Sequence, residues 1–103
     1  MSEPGRDTPI TISREVEQVR GWCYHVTIRR PSGGTVDYRV TLSWADHDLI
    51  SGGVCPPSRT VEAALGVLLE AGPMLPGTLP SRFDLSTVRR MIEGFDDLVR
   101  ARL

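Results

Sequence analysis

The densest group of side chains that could bind a metal or transfer a proton is Asp46-His47-Asp48, and Cys55 follows a short way along the chain. Carboxylate, imidazole and thiolate groups are all zinc ligands. However, the chain has no Cys-x-x-Cys or His-x-x-x-His spacing. We therefore interpret the triplet as an exposed, Asp-rich turn, keep these four residues as metal-ligand candidates only, and predict no metal and no cofactor.

Nucleophilic catalysis needs Ser or Cys beside His, with an acid that orients the imidazole. Cys23 and His25 are two residues apart, so in a strand they lie on the same face. The chain contains no Gly-x-Ser-x-Gly motif, and neither Ser-Gly-Gly stretch leads into the Lys and Ser/Thr of a phosphate-binding loop. We therefore favour a non-enzyme and name no catalytic residue. A metal protein or small enzyme that uses the Asp46-His47-Asp48 turn stays a second alternative.

The element that would position these groups is a β-hairpin over residues 21–44. Large apolar residues occupy alternate positions on both arms: Trp22, Tyr24, Val26 and Ile28, then Val36, Tyr38, Val40, Leu42 and Trp44. This period of two predicts strands with one buried face, and the Pro-Ser-Gly-Gly between them predicts the turn. Two registers keep apolar residues opposite each other, one pairing Trp22 with Leu42 and the other pairing Trp22 with Trp44. A shift of one residue is excluded because it would turn every large side chain to the wet face.

The segments around the hairpin are less regular. Residues 1–9 are rich in Pro, Gly and charge and predict a disordered tail, which leaves residues 10–103 as a single small domain. Ile10 and Ile12 alternate as in a strand, whereas residues 13–20 fit either an extended segment or a short capped helix. Residues 45–57 are turn-rich, with a short third strand at residues 48–51 as one interpretation.

Two amphipathic helices are expected in the C-terminal half. The first takes Ser58 as its N-cap and ends before Gly72 and Pro73. The second takes Asp84 as its N-cap and either stops at Gly94 or continues to the C-terminus. The fold class is therefore α+β: an antiparallel hairpin or three-stranded sheet, followed by two C-terminal α-helices packed on one face.

Composition limits the function classes. The formal net charge is -1, which makes nucleic acid an unlikely partner. No apolar run approaches the ~20 residues that a membrane span needs, and the first residues lack the apolar core of a secretory signal. Two cysteines do not form a disulfide framework. We expect a cytoplasmic protein with reduced thiols and no membrane contact.

Four residues are candidates for contacts with a partner. Trp22 and Trp44, at the base of the hairpin, exceed what two short helices would cover, and a small sheet has two open edges. Arg29 and Arg39 lie on the polar face, where they could contact nucleic-acid phosphates, although Asp37 and the net charge oppose this. The leading interpretation is a non-catalytic protein-interaction or regulatory module that forms a homodimer or binds a protein partner.

Two longer stretches of the chain resemble known groups of proteins. A strand, a turn-rich stretch, a Pro-Pro pair, a helix ending in Leu-Leu-Glu and a Phe-Asp-Leu-Ser box follow one another over residues 36–95. This order resembles a group of short bacterial proteins of unknown function and implies no activity. Those proteins carry an aromatic-Phe-Pro-Glu-Phe segment where this chain has Met91-Ile92-Glu93-Gly94-Phe95.

The hairpin, a Gly-rich turn and Thr-Val-Glu-Ala-Ala-Leu at residues 60–65 resemble an antitoxin domain of HicB type. That resemblance implies a truncated ribonuclease-H-like sheet with one helix, and a nucleic-acid-linked regulator as the alternative function. The acidic-Pro pattern of that family is replaced here by Trp44-Ala45-Asp46-His47-Asp48.

Overall fold

The computed structural model describes residues 9–29, 33–70 and 80–103. The strands are β1 Ile10–Gln18, β2 Gly21–Arg29, β3 Thr35–Ser43 and β4 Arg82–Asp84. The helices are α1 Trp44–Ser51, α2 Pro57–Glu70, α3 Leu85–Arg89 and α4 Phe95–Arg100. The sheet order is β1-β2-β3-β4. The first three strands are antiparallel and β4 runs parallel to β3. The α+β class is confirmed, but the sheet is mixed and has four strands, whereas an antiparallel hairpin or three-stranded sheet was predicted.

The hairpin adopts the first of the two predicted registers. Trp22 lies opposite Leu42, and Tyr24 lies opposite Val40. This register places both apolar stripes on one face of the sheet, where Tyr24, Val40 and Leu42 are at most 1% exposed. The alternative that paired Trp22 with Trp44 is wrong, since β3 ends at Ser43. Residues 30–32 of the predicted turn lie outside the described residues.

Residues 10–18 form an edge strand with an irregularity in the middle. Ile10 lies opposite Ile28 and Ile12 lies opposite Val26, and the register then shifts between Ile12 and Arg14. A β-bulge of this kind turns the following residues to the opposite face. The short helix considered for residues 13–20 is therefore wrong. Of the predicted tail, only Pro9 lies within the described residues.

The bulge turns a charged residue of β1 toward the core side. Glu15 lies opposite Tyr24, and the Tyr24 hydroxyl donates a hydrogen bond of 2.5 Å to Glu15 Oε1. Burial, together with this hydrogen bond and the nearby carboxylate charge, raises the pKa of Tyr24 well above its usual range. This hydrogen bond closes the rim of the core at this edge.

The stretch after β3 is a helix, which corrects two predictions. Trp44 begins α1 rather than extending the strand, and residues 48–51 are helical rather than a third strand. Ser43 caps the helix by accepting a hydrogen bond of 3.1 Å from the Asp46 amide. Gly52 ends the helix at φ 66°, a left-handed conformation that glycine adopts without strain.

The C-terminal half contains one long helix and two short ones. Helix α2 begins at Pro57, so Ser58 lies inside the helix rather than capping it. The predicted stop at Gly72 and Pro73 falls outside the described residues. Asp84 is confirmed as an N-cap, because its side chain accepts from the Ser86 amide at 2.9 Å.

Helix α3 ends at Arg89, so the second helix stops before Gly94, earlier than predicted, and Gly94 at φ 71° is instead the N-cap of α4. The break separates α3 from α4, and both are short. The first predicted C-terminal helix therefore corresponds to α2, and the second is replaced by the two short helices α3 and α4. Helix α1 was not predicted.

The core lies between the sheet and the helices. Its fully buried side chains come from both layers: Tyr24, Val26, Ile28, Val40, Leu42, Ile50, Val61, Leu65, Leu68, Leu85, Val88 and Phe95. The alternate residues of β2 and β3 point away from this core; Thr27 is half-buried and Arg39 is exposed. The sheet thus has a covered face and a second, largely open face.

Candidate functional site

Helix α1 separates the predicted cluster of reactive side chains. Successive residues of an α-helix point in different directions around its axis. Asp46 Oδ1 accepts a hydrogen bond of 2.9 Å from Arg89 Nη1. His47 Nε2 donates to the Cys55 carbonyl oxygen at 2.6 Å, and Asp48 is exposed. These groups therefore have separate surroundings, and the contact to Cys55 uses its backbone rather than its thiol.

The other two reactive residues lie on the open face of the sheet. Cys23 is only 5% exposed, with Val16 and Thr41 as its cross-strand neighbours. His25 is half-buried on the same strand. Across the described ranges, no group of three or more His, Cys, Asp or Glu side chains is arranged to hold a metal ion.

Arg89 joins three of the helices. Its guanidinium donates to both carboxylate oxygens of Asp96, each at 2.8 Å. The remaining nitrogen contacts Asp46 at 2.9 Å. The hydrogen bond and charge of Asp96 raise the pKa of Arg89, with burial opposing and Asp46 adding to the rise. This contact holds α1, α3 and α4 together and serves the fold.

The two tryptophans, both predicted as contact residues, have different environments. Trp22 is half-buried against the core, and its ring meets His47 edge-on at a centroid distance of 5.4 Å. Trp44 is 52% exposed at the start of α1. Of the two tryptophans, only Trp44 therefore offers a large apolar surface to another molecule.

A second exposed apolar residue lies in the turn whose backbone bonds to Trp44. Val19, at the tip of the β1–β2 turn, is 86% exposed. The Trp44 amide donates to the Arg20 carbonyl oxygen at 2.8 Å, which ties the start of α1 to this turn. We call Val19 and Trp44 the apolar corner. An open groove beside it is lined by residues that include Val19, Gly21 and Trp22.

The predicted polar face carries a line of basic residues across all four strands. Arg14 lies opposite His25, His25 lies opposite Arg39, and Arg39 lies opposite Arg82. We call these four residues the basic row. Arg29, the other predicted contact residue of this face, is exposed at the end of β2 opposite Thr35 and lies outside the row.

Sequence reasoning found Arg39 but missed Arg14 and Arg82. Arg14 joins the row only because the bulge in β1 shifts its pairing. Arg82 joins it through the three-residue strand β4, which pairs with β3 in parallel. The only local signal was the Phe-Asp-Leu-Ser box that follows Arg82.

Comparison of the chain with protein-family models, with curated proteins and with solved structures found no match. In the part of the chain that the structure describes, no helix has both the length and the apolar character needed to cross a membrane.

Proposed function

We propose that this chain is a non-catalytic protein-interaction module whose contact surface is the apolar corner. The first interaction that we propose for this surface is with a second copy of the chain. The observation that carries the proposal is the exposure of Trp44, 52%, beside Val19, 86%. Tryptophan is among the residues most enriched at the energetic centres of protein interfaces. The backbone under the ring is held by the Trp44–Arg20 hydrogen bond, so little ordering cost would remain on binding.

The sheet edge is a poorer contact surface than the apolar corner. Strand β1 is the long edge strand, and it carries a bulge and an inward-pointing carboxylate, Glu15. Both features oppose pairing with another strand. Self-association would therefore use side chains around Trp44, in a two-fold contact where the same patch faces itself.

The test is the mass of the protein in solution, measured by sedimentation equilibrium from low to high micromolar concentration. The wild type should shift from monomer toward dimer, and Trp44→Ser should remain monomeric over the same range. Leu49→Ser is the matched control, because Leu49 lies on the same helix and is 54% exposed. It should associate like the wild type.

A pull-down with the wild type, Trp44→Ser and Leu49→Ser tests whether the apolar corner binds a different protein instead. A co-purified protein that is lost with Trp44→Ser and retained with Leu49→Ser supports the interaction module. A wild type that stays monomeric at every concentration and retains no protein through Trp44 would overturn the proposal.

A further inference from the structure

We propose that the basic row docks an extended acidic segment of a partner protein. This surface lies on the open face of the sheet and uses none of the residues of the apolar corner. The two proposals therefore fail or succeed separately.

The row crosses the sheet from β1 to β4. Its residues are in register on neighbouring strands, and neighbouring strands lie about 4.8 Å apart. The Cα atoms of Arg14 and Arg82 are thus separated by about 14 Å along the track. Arg14, Arg39 and Arg82 are exposed and His25 is half-buried. A track of this length suits an elongated ligand better than a single small anion.

The arginines of the row are not neutralised by the fold. Among the described residues, Arg14, Arg39 and Arg82 take part in no ion pair. The carboxylates that flank the row are already engaged. Asp37 accepts from Thr27 at 2.8 Å, and Asp84 accepts from a threonine hydroxyl of β3 and from the first turn of α3. Three guanidinium groups on one flat surface are left to bind an external anion.

Carboxylates on an extended chain fit the overall length of this track. Alternate side chains of a strand point to the same side and recur about every 6.7 Å, so three of them span about 13 Å. That length matches the track from Arg14 to Arg82. Each guanidinium can hold a carboxylate through two parallel hydrogen bonds. The segment that fits best therefore has Glu or Asp at every second position.

The composition of this face favours protein over nucleic acid. The aromatic residues of the four described strands, Trp22, Tyr24, Tyr38 and Phe83, belong to the opposite, core-side face. Single-stranded nucleic acid is usually held by aromatic platforms on which bases stack. Asp37 and Asp84 on either side would also repel a continuous phosphate chain. A peptide can place uncharged residues over both carboxylates.

The test measures binding of a fluorescent peptide of alternating Glu and Ser to the full chain by anisotropy. Binding should be saturable and should weaken as salt is added. The double variant Arg39→Gln/Arg82→Gln should raise the Kd at least about tenfold, because two charge-assisted contacts are lost. Arg59→Gln is the control, since Arg59 is an exposed arginine on α2, in the helical layer. It should bind like the wild type.

Three comparisons separate the sources of binding. Trp44→Ser should bind the peptide like the wild type; a loss equal to that of the double variant would overturn the independence of the two surfaces. Tighter binding of oligo-dT, or of vesicles containing anionic lipid, than of the peptide would overturn the choice of partner. Peptide binding that is absent at millimolar concentration, or unchanged in the double variant, would overturn the proposal itself. Circular dichroism checks that every variant is folded.

Discussion

Replacing Arg89 with methionine tests whether one ionic contact holds the short helices in place. Arg89 of α3 bonds to Asp96 of α4 twice, at 2.8 Å, and to Asp46 of α1 at 2.9 Å. Helices α3 and α4 have five and six residues, too few to be stable by themselves. Their positions must therefore depend on tertiary contacts, and this contact joins all three helices.

The stability lost in Arg89→Met can be estimated from the burial of the three side chains. The side chains of Arg89, Asp46 and Asp96 are 24%, 14% and 26% exposed. Methionine keeps most of the apolar stem but leaves two carboxylates close together without a cation. Removing one partner of a fully buried ion pair costs about 3–5 kcal/mol. Partial exposure lowers this, so we expect a loss of about 2–3 kcal/mol. For a domain of this size the loss corresponds to a fall in Tm of about 8–24 °C.

The assay is urea unfolding followed by circular dichroism, with the Tm from calorimetry as a second measurement. Arg90→Met is the matched control, because Arg90 is exposed and makes no ion pair in the described part of the chain. Adding Asp96→Asn to Arg89→Met should recover part of the loss by removing one of the facing charges. If the free energy of unfolding of Arg89→Met lies within about 0.5 kcal/mol of that of the control, the contact contributes little to stability. The idea that it holds the short helices in place is then refuted.

Two further predictions concern single residues. A Cβ at Gly21 would meet the Leu42 carbonyl oxygen at 2.1 Å, and this is strand backbone that cannot move aside, so Gly21→Ala should destabilise the fold by about 1–3 kcal/mol. At Gly66 the nearest atoms are the mobile guanidinium of Arg102, at 2.7 Å, so Gly66→Ala should be neutral or gain up to about 1 kcal/mol of helix propensity; urea unfolding that ranks the two variants the other way contradicts this. Burial opposes ionisation of Asp84, but hydrogen bonds from α3 and β3 outweigh it and lower its pKa below 3.8. Ionised Asp84 therefore adds stability above pH 3.8 that is lost as the pH falls through the lowered pKa, and the stability gap between wild type and Asp84→Asn should narrow on acidification, whereas a constant gap would contradict the capping role.

The hairpin could be predicted because its pattern is local and unbroken. Every second residue from Trp22 to Leu42 outside the turn is apolar, and one register satisfies both arms. Strand β1 could not be read in the same way, because the bulge after Ile12 resets the alternation and places Glu15 toward the core. A period of two is a reliable signal only when the ladder is regular.

Helix α1 was missed although both of its ends are signalled in the sequence. Ser43 is a good N-cap and Gly52 a good C-terminal stop. The apolar residues between them do not form a clear stripe, because only Ile50 is fully buried. The alternation of β3 also continues in appearance to Trp44, which concealed the point where the strand ends.

The basic row depends on pairings between segments far apart in the chain. Arg14 and Arg82 come together with Arg39 only after a bulge and a parallel strand have set the register. No pattern within one segment indicates such a line, and its charge cancels in the net total of -1. Surface charge arranged by strand pairing is therefore a property of the fold that composition conceals.

The fold uses several of its reactive groups to hold its short elements in place. His47 is fixed on a backbone carbonyl, Asp46 is fixed on Arg89, and Asp84 caps a helix. Each of these groups contributes to placing a short element, so moving a proton there would disturb the fold. Other side chains are exposed, among them the Trp44 indole, Val19 and the arginines of the basic row. Side chains of these kinds contact other molecules through burial of apolar surface and through charge. We therefore propose the open face and the apolar corner, rather than the reactive groups, as the surfaces that contact other molecules.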